Sequence, residues 1–153
     1  MELDPAALMG IALDEARAAL AHDDVPVGAV VARADSGIVL SRRHNEREVT
    51  GDPTAHAEVL ALRDAAACIG HWRLDECVLV VTLEPCPMCA GAAMAARVPV
   101  VVFAAPDPKA GSLGTLYHFG SDPRLHHPMA VRSGVRADEA TELLVRFFAE
   151  RRG

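Results

Sequence analysis

The sequence predicts a three-layer α/β fold, with a central mixed five-stranded sheet covered by helices on both faces. Three observations predict it. The chain has 153 residues, 51% of them apolar, and carries no linker, internal repeat or low-complexity tract, as expected of one domain with a sizeable core. Helical and strand patterns alternate in the order α-β-β-α-β-α-β-loop-β-α. Two runs, Cys77–Thr82 and Val98–Ala104, are continuously apolar, as strands covered on both faces are.

Each element has a local reason. Asp4-Pro5 starts a helix whose broad apolar face carries Leu8, Ile11, Ala12, Ala16, Ala19 and Leu20. Val25–Ala34 is a β-type run, Asp35-Ser36-Gly37 a hairpin turn and Ile38–Ser41 the returning strand. His44–Gly51 reads as polar loop. Asp52-Pro53 has the form of an N-cap followed by Pro at the first helical position, which predicts a helix over Pro53–Cys68. After the strand Cys77–Thr82, Leu83–Met88 is a turn and Cys89–Ala96 a helix of very small residues. Val98–Ala104 is the next strand. Pro106–Pro128, rich in Pro, Gly and His, is mostly loop with one short helix, and Ala130–Val135 is a last short strand. Asp138–Arg152 closes the chain as a helix burying Leu143, Leu144, Phe147 and Phe148.

The formal net charge of −6 argues against a non-specific nucleic-acid coat protein, though not against an enzyme with a local basic face. Lys109 is the only lysine among 15 basic residues. The chain opens Met-Glu-Leu-Asp, without a basic stretch before an apolar run, and its longest weakly apolar region is broken by Arg97 and Pro99. A soluble, cytoplasmic protein without a membrane span is therefore expected. Four cysteines in that setting are thiols or metal ligands rather than disulfides.

Two short motifs carry chemistry: His56-Ala57-Glu58 and Pro85-Cys86-Pro87-Met88-Cys89. Both sit at expected helix starts. Residues two apart diverge by roughly 200° within a helix, but in the first turn both can face the region beyond the helix end. Cys86 and Cys89, three apart, share one face and can grip one ion. Helix N-termini favour the thiolate form that binds metal. One imidazole and two thiolates suit Zn²⁺, one per chain, and leave a fourth position for water. Glu58 is the carboxylate placed to take a proton from that water. Two other readings compete: a closed structural zinc site with Cys68, Cys77 or His71 as fourth ligand, and a metal-free Cys-x-x-Cys redox pair. The first lacks a second Cys-x-x-Cys pair, and the second leaves His-x-Glu unexplained.

The combination of these motifs resembles the zinc nucleobase deaminases of the cytidine deaminase-like superfamily. Within it, the chain resembles the bacterial tRNA-specific adenosine deaminases. The matching stretches are Val25-Pro26-Val27-Gly28-Ala29-Val30, Asn45, Asp52-Pro53-Thr54-Ala55-His56-Ala57-Glu58, Val81-Thr82-Leu83-Glu84-Pro85-Cys86, Met88-Cys89-Ala90-Gly91-Ala92, and Asp107 with Lys109-Ala110-Gly111. They run over nearly the whole chain. The resemblance implies a cytidine deaminase-like fold and a single zinc-dependent deaminase domain over 1–153. It implies a homodimer acting on a tRNA anticodon stem-loop, where the wobble adenosine becomes inosine and ammonia leaves. Water attacks C6 of adenine while Glu58 carries its proton to N1 and then to the departing amine.

The resemblance makes Asn45 a contact to the flipped nucleoside, Asp107 a contact to the target nucleotide and Lys109 a contact to the neighbouring backbone. Arg42, Arg43, Arg47, Arg146, Arg151 and Arg152 are the basic candidates for the stem. Two stretches depart from the family pattern. Pro106 and Pro108 bracket Asp107, where an Arg and a small residue are common, and His126-His127-Pro128 replaces a common Asn-His-Arg. The alternatives are a free-base or nucleoside deaminase acting on guanine, cytosine or cytidine, and a non-catalytic zinc-dependent RNA-binding subunit. Asp107-x-Lys109 weighs against the first and retention of Glu58 against the second.

Overall fold

A computed structural model describes residues 3–151. Helix α1 (Pro5–Ala19) is capped by Asp4, whose carboxylate accepts from the Ala7 N–H at 3.1 Å, and continues into a short 3-10 turn (Leu20–His22). Then follow β1 (Gly28–Arg33), β2 (Val39–His44), α2 (Arg47–Thr50), α3 (Ala57–Ile69), β3 (Cys77–Leu83), α4 (Pro87–Ala95), β4 (Val100–Ala105), β5 (Ala130–Arg132) and α5 (Ala137–Arg151). The sheet order is β2-β1-β3-β4-β5. β1 runs antiparallel to both β2 and β3, whereas β3, β4 and β5 are parallel, so the sheet is mixed as expected.

Strand alternation divides the core in two. Val31, Leu79, Val81, Val101 and Phe103 face α3 and α4, where Ala61, Leu62, Ala65, Ala90 and Ala93 meet them. Val30, Val78, Val80, Val102 and Ala104 face the opposite side, against Leu8, Met9, Ala12 and Leu13 of α1 and Ala140 of α5. At Gly28 the backbone of α1 lies directly on β1: a Cβ there would land on the Ala12 carbonyl and the Ala16 amide, so no larger residue fits.

Several boundaries differ from expectation. β1 starts three residues late because Val25–Val27 turns away from the sheet, with the Val27 N–H donating to the Val25 carbonyl at 2.8 Å. β2 runs on to His44, and one helical turn, α2, follows within the expected loop. Helix α3 begins at Ala57 rather than Pro53. Asp52 does not cap it: its carboxylate accepts from the backbone and the hydroxyl of Thr54, both at 2.8 Å, and makes a local turn instead. Helix α4 starts two residues early, with Pro87 in the first turn. No helix forms within Pro106–Pro128, and β5 is an exposed three-residue edge strand. Leu20 leaves the α1 face and is exposed, and Phe147 is buried while Phe148 is 45% exposed. No helix among the described residues is long and apolar enough to cross a membrane.

Candidate active site

Parallel pairing of β3 with β4 puts their carboxyl ends side by side, the edge at which open α/β sheets bind ligands. Helix α4 starts there, and α3 starts opposite it. His56 is the N-cap residue of α3 and Cys86 that of α4, both in extended backbone (ψ 148° and 174°) with no side-chain capping bond. Their side chains are thus released from the helix ends and turned toward one another. His56 Nδ1 lies 3.7 Å from Cys86 Sγ and 3.5 Å from Cys89 Sγ. These three are the one set of three or more His, Cys, Asp or Glu side chains among the described residues whose donor atoms all lie within 4.8 Å of one another.

The donor set fits zinc. Separations of 3.5 and 3.7 Å are edges of a tetrahedron with Zn–S of about 2.3 Å and Zn–N of about 2.0–2.1 Å. The hydrogen bond from Cys89, with further help from His56, pulls the Cys86 thiol down to about 4 against the effect of burial. The same pairing, reinforced by burial, pushes Cys89 up. The other suggested ligands are not in this group: Cys68 is exposed, His71 is exposed past the end of α3 with its Nδ1 accepting from the Arg73 N–H, and Cys77 starts β3, whose far end, about 20 Å along the strand, meets the site.

Glu58, in the first turn of α3, is buried beside this group. Burial pushes its carboxyl up to about 7, the range in which a carboxyl both takes and gives a proton near neutral pH. A cavity of about 230 Å³ opens above it, lined by Asn45, His56, Glu58, Cys86, Asp107 and Phe148 among others.

Asn45 does more than line the wall. Its Oδ1 accepts from the Ala57 N–H at 2.8 Å and its Nδ2 donates to the Val25 carbonyl at 3.1 Å. It supplies from a distance the cap that His56 does not, and so holds the start of α3 against the strand entry. Asp107 Oδ1 accepts from the backbone N–H groups of Lys109 (2.9 Å) and Ala110 (3.3 Å), which folds the loop around it. Lys109 stands exposed beyond the cavity.

One residue that carries no metal or proton, Glu84, organises this wall. Glu84 is buried; its Oε1 accepts from the Asp107 N–H at 3.1 Å and from the Thr115 hydroxyl, and its Oε2 from the N–H groups of Leu113 (3.0 Å) and Thr115 (3.1 Å). A Cβ at Gly111 would overlap this carboxylate. Glu84→Gln turns an acceptor into a donor facing these donors. A loss of ~1–3 kcal/mol is expected in urea melts, together with a raised KM from loosening of the Asp107 loop. An unchanged melting curve and KM would remove Glu84 from this role.

The expected basic face is mostly paired internally. Arg42 bonds Glu15 (2.8 Å), Arg43 bonds Glu46 and Asp64 (both 2.8 Å), Arg146 bonds Glu142 (3.2 Å), and Arg151 bonds Asp23. Arg47 lines the cavity. Arg152 lies outside the described residues. In the departing stretch it is His127 that ties the loop back, through Nε2 to the Val98 carbonyl at 2.9 Å.

An α/β/α sandwich that delivers an imidazole, two thiols and a buried carboxyl to one cavity through facing helix starts defines a zinc-dependent hydrolytic deaminase. The family model for the cytidine and deoxycytidylate deaminase zinc-binding region matches residues 4–105, and the chain is 45% identical over 141 residues to the tRNA-specific adenosine deaminase of Bacillus subtilis, covering 92% of this chain and 86% of that one. The chain belongs to the tRNA-specific adenosine deaminase family of the zinc deaminases. It is also 51% identical over 144 residues to a tRNA(Ile)-lysidine synthase of Deinococcus radiodurans, but covers only 24% of that protein's length. Among solved structures, one from work on A-to-I editing by tRNA:A34 deaminases at the wobble position matches with a TM-score of 0.85 and 41% identity, covering 90% of this chain and 99% of that one. A guanine deaminase from Nitrosomonas europaea matches at 0.81 and 31%, covering 96% and 86%.

Proposed function

We propose that this chain hydrolyses the wobble adenosine in the anticodon loop of a tRNA to inosine, releasing ammonia. The observation that carries the reading is the buried Glu58 beside His56, Cys86 and Cys89 in a base-sized cavity, within a chain so similar to tRNA:A34 deaminases. Residues 1–153 act as one zinc-dependent deaminase domain.

His56, Cys86 and Cys89 hold zinc. Zinc, when bound, supplies the Lewis acidity that makes a water nucleophilic at neutral pH. Glu58 takes one proton of the attacking water and places it on N1 of adenine; it then takes the remaining proton from the new C6 hydroxyl and gives it to the amine, which leaves as ammonia while C6=O forms. Atoms balance as adenosine plus water giving inosine plus ammonia. Asn45 keeps one amide hydrogen beyond its two structural bonds, and this hydrogen addresses the nucleoside. Asp107 keeps Oδ2 for the target nucleotide, and Lys109 at the rim meets a backbone phosphate. An unpaired anticodon base enters the cavity at far lower cost than a stacked duplex base. A second copy of the chain is expected to cover the apolar surface shared by α3 and α4, where Trp72 is exposed beside Ala66, Ala92 and Ala96.

The test is ammonia and inosine release from an anticodon stem-loop with A at the wobble position, compared with free adenosine, guanine and cytidine. Turnover confined to the stem-loop is the expected result. Faster turnover of guanine would move the chain to the free-base deaminases, to which its fold is also similar.

A further inference from the structure

His22, in the 3-10 turn after α1, and His44, the last residue of β2, face each other with Nε2 atoms 3.1 Å apart. The other nitrogen of each ring is occupied. His22 Nδ1 bonds Asp24 Oδ2 at 2.6 Å, and His44 Nδ1 bonds Glu15 Oε1 at 2.9 Å. A carboxylate only accepts, so each Nδ1 carries its ring hydrogen. Each neutral ring then has its lone pair on Nε2, and the two lone pairs point at one another. That contact is repulsive unless a cation joins them.

The rings are not free to turn away. Asp24 is buried and also accepts from the N–H groups of Glu48 (2.8 Å) and Val49 (3.4 Å). Glu15 is fixed through its second oxygen by Arg42 Nε at 2.8 Å. Burial opposes ionisation of Glu15, but the hydrogen bonds from His44 and Arg42 prevail and hold its carboxyl below the usual range. A carboxylate behind the distal nitrogen is the arrangement that orients metal-binding histidines. Here both rings have one. A third carboxylate oxygen, Glu46 Oε1, lies 3.9 Å from His44 Nε2, while its Oε2 is held by Arg43. The two histidine side chains are 23% and 19% exposed, so ions reach them from solvent.

We propose that His22 and His44 form a second metal site, for a divalent ion of the zinc, nickel or copper type, with water completing the coordination. Two imidazole nitrogens select such ions over calcium or magnesium. The site is separate from the His56, Cys86 and Cys89 group and does not depend on the deaminase reading. Its place gives it a consequence. It ties the end of α1 to the end of β2, between Asp24 and Asn45, which both line the cavity. Metal there braces the cavity mouth.

The experiment starts from untagged protein carrying one zinc per chain, titrated with Zn²⁺ by calorimetry, with metal content measured after gel filtration. Wild type is expected to take up a second equivalent. His22→Gln and His44→Gln are each expected to lose the second equivalent and retain the first. Glu15→Gln, which keeps both rings but removes one supporting carboxylate, should weaken the second equivalent by about 10–100-fold. The melting temperature should rise with zinc beyond one equivalent in wild type, and not in either histidine variant. A wild type that stops at one equivalent overturns the proposal and leaves a shared proton between the two rings. A second equivalent that persists in both histidine variants overturns it as well, because the ion is then bound elsewhere.

Discussion

In the Glu58→Gln variant, inosine formation is expected to fall by at least ~10²-fold while zinc remains bound and stoichiometric. Gln keeps the size and most of the hydrogen bonding of Glu, but its amide takes no proton from water at neutral pH. The metal is untouched because its three donors lie on His56, Cys86 and Cys89. Stability should not fall either. Burial already pushes the Glu58 carboxyl up to about 7, so removing its charge removes a desolvation cost. Stem-loop affinity should survive within a few-fold, since phosphate contacts dominate it. Three measurements on one sample decide the matter: metal content, stem-loop binding and inosine yield. Loss of zinc would reassign Glu58 to the metal site, and near-normal turnover would sink the proton-transfer scheme.

Cys86→Ala and Cys89→Ala are expected to have the largest effect on stability. Each removes a thiolate from a three-donor set, and zinc should be lost from both. The ion joins the first residues of α3 and α4, so its binding energy is also folding energy. At free zinc 1,000 times its Kd, the ion contributes about 4 kcal/mol that an apo chain lacks. Wild type stripped with a chelator should therefore melt close to the two variants. One zinc per chain retained at the His56 group in both variants would remove the proposed ligand set. Cys68→Ala, on an exposed position away from the group, serves as the control and should leave metal content unchanged.

The strands were legible because their signal is local: Cys77–Leu83 and Val100–Ala105 are apolar on every residue that two helical layers cover, apart from the polar Thr82. The two motifs were legible because their residue types and spacing carry the metal chemistry even where the helix boundaries beside them shift. What stayed hidden depends on partners far along the chain. Asp52-Pro53 carries every local sign of a helix start, yet the cap of α3 comes from Asn45, and Asp52 closes a turn of its own. Glu84 sits in an expected turn, and nothing near it announces that its carboxylate gathers N–H groups 23 to 31 residues away. Arg42 reads as free positive charge because its acidic partner, Glu15, is 27 residues distant, and one of the two partners of Arg43, Asp64, is 21 residues away. His22 and His44 carry no pattern in sequence and meet only because α1 crosses the sheet beside β2.

The placement of the metal donors on two separate helix starts bears on the order in which the molecule assembles. His56 and Cys86 are 30 residues apart, and between them lies β3, which must first find β1 rather than its sequence neighbour β2. Closing that non-local antiparallel pair is slow compared with helix formation. The thiols and the imidazole converge only afterwards, so zinc capture belongs to the native side of the folding barrier. We expect zinc to flatten nothing on the refolding arm of a chevron and to slow the unfolding arm alone. Refolding that accelerates with added zinc would place the ion in the nucleus instead. On this ordering, a cell short of zinc makes the native fold at an undiminished pace but holds each molecule for less time, and scarcity of the metal is read out as turnover of the protein.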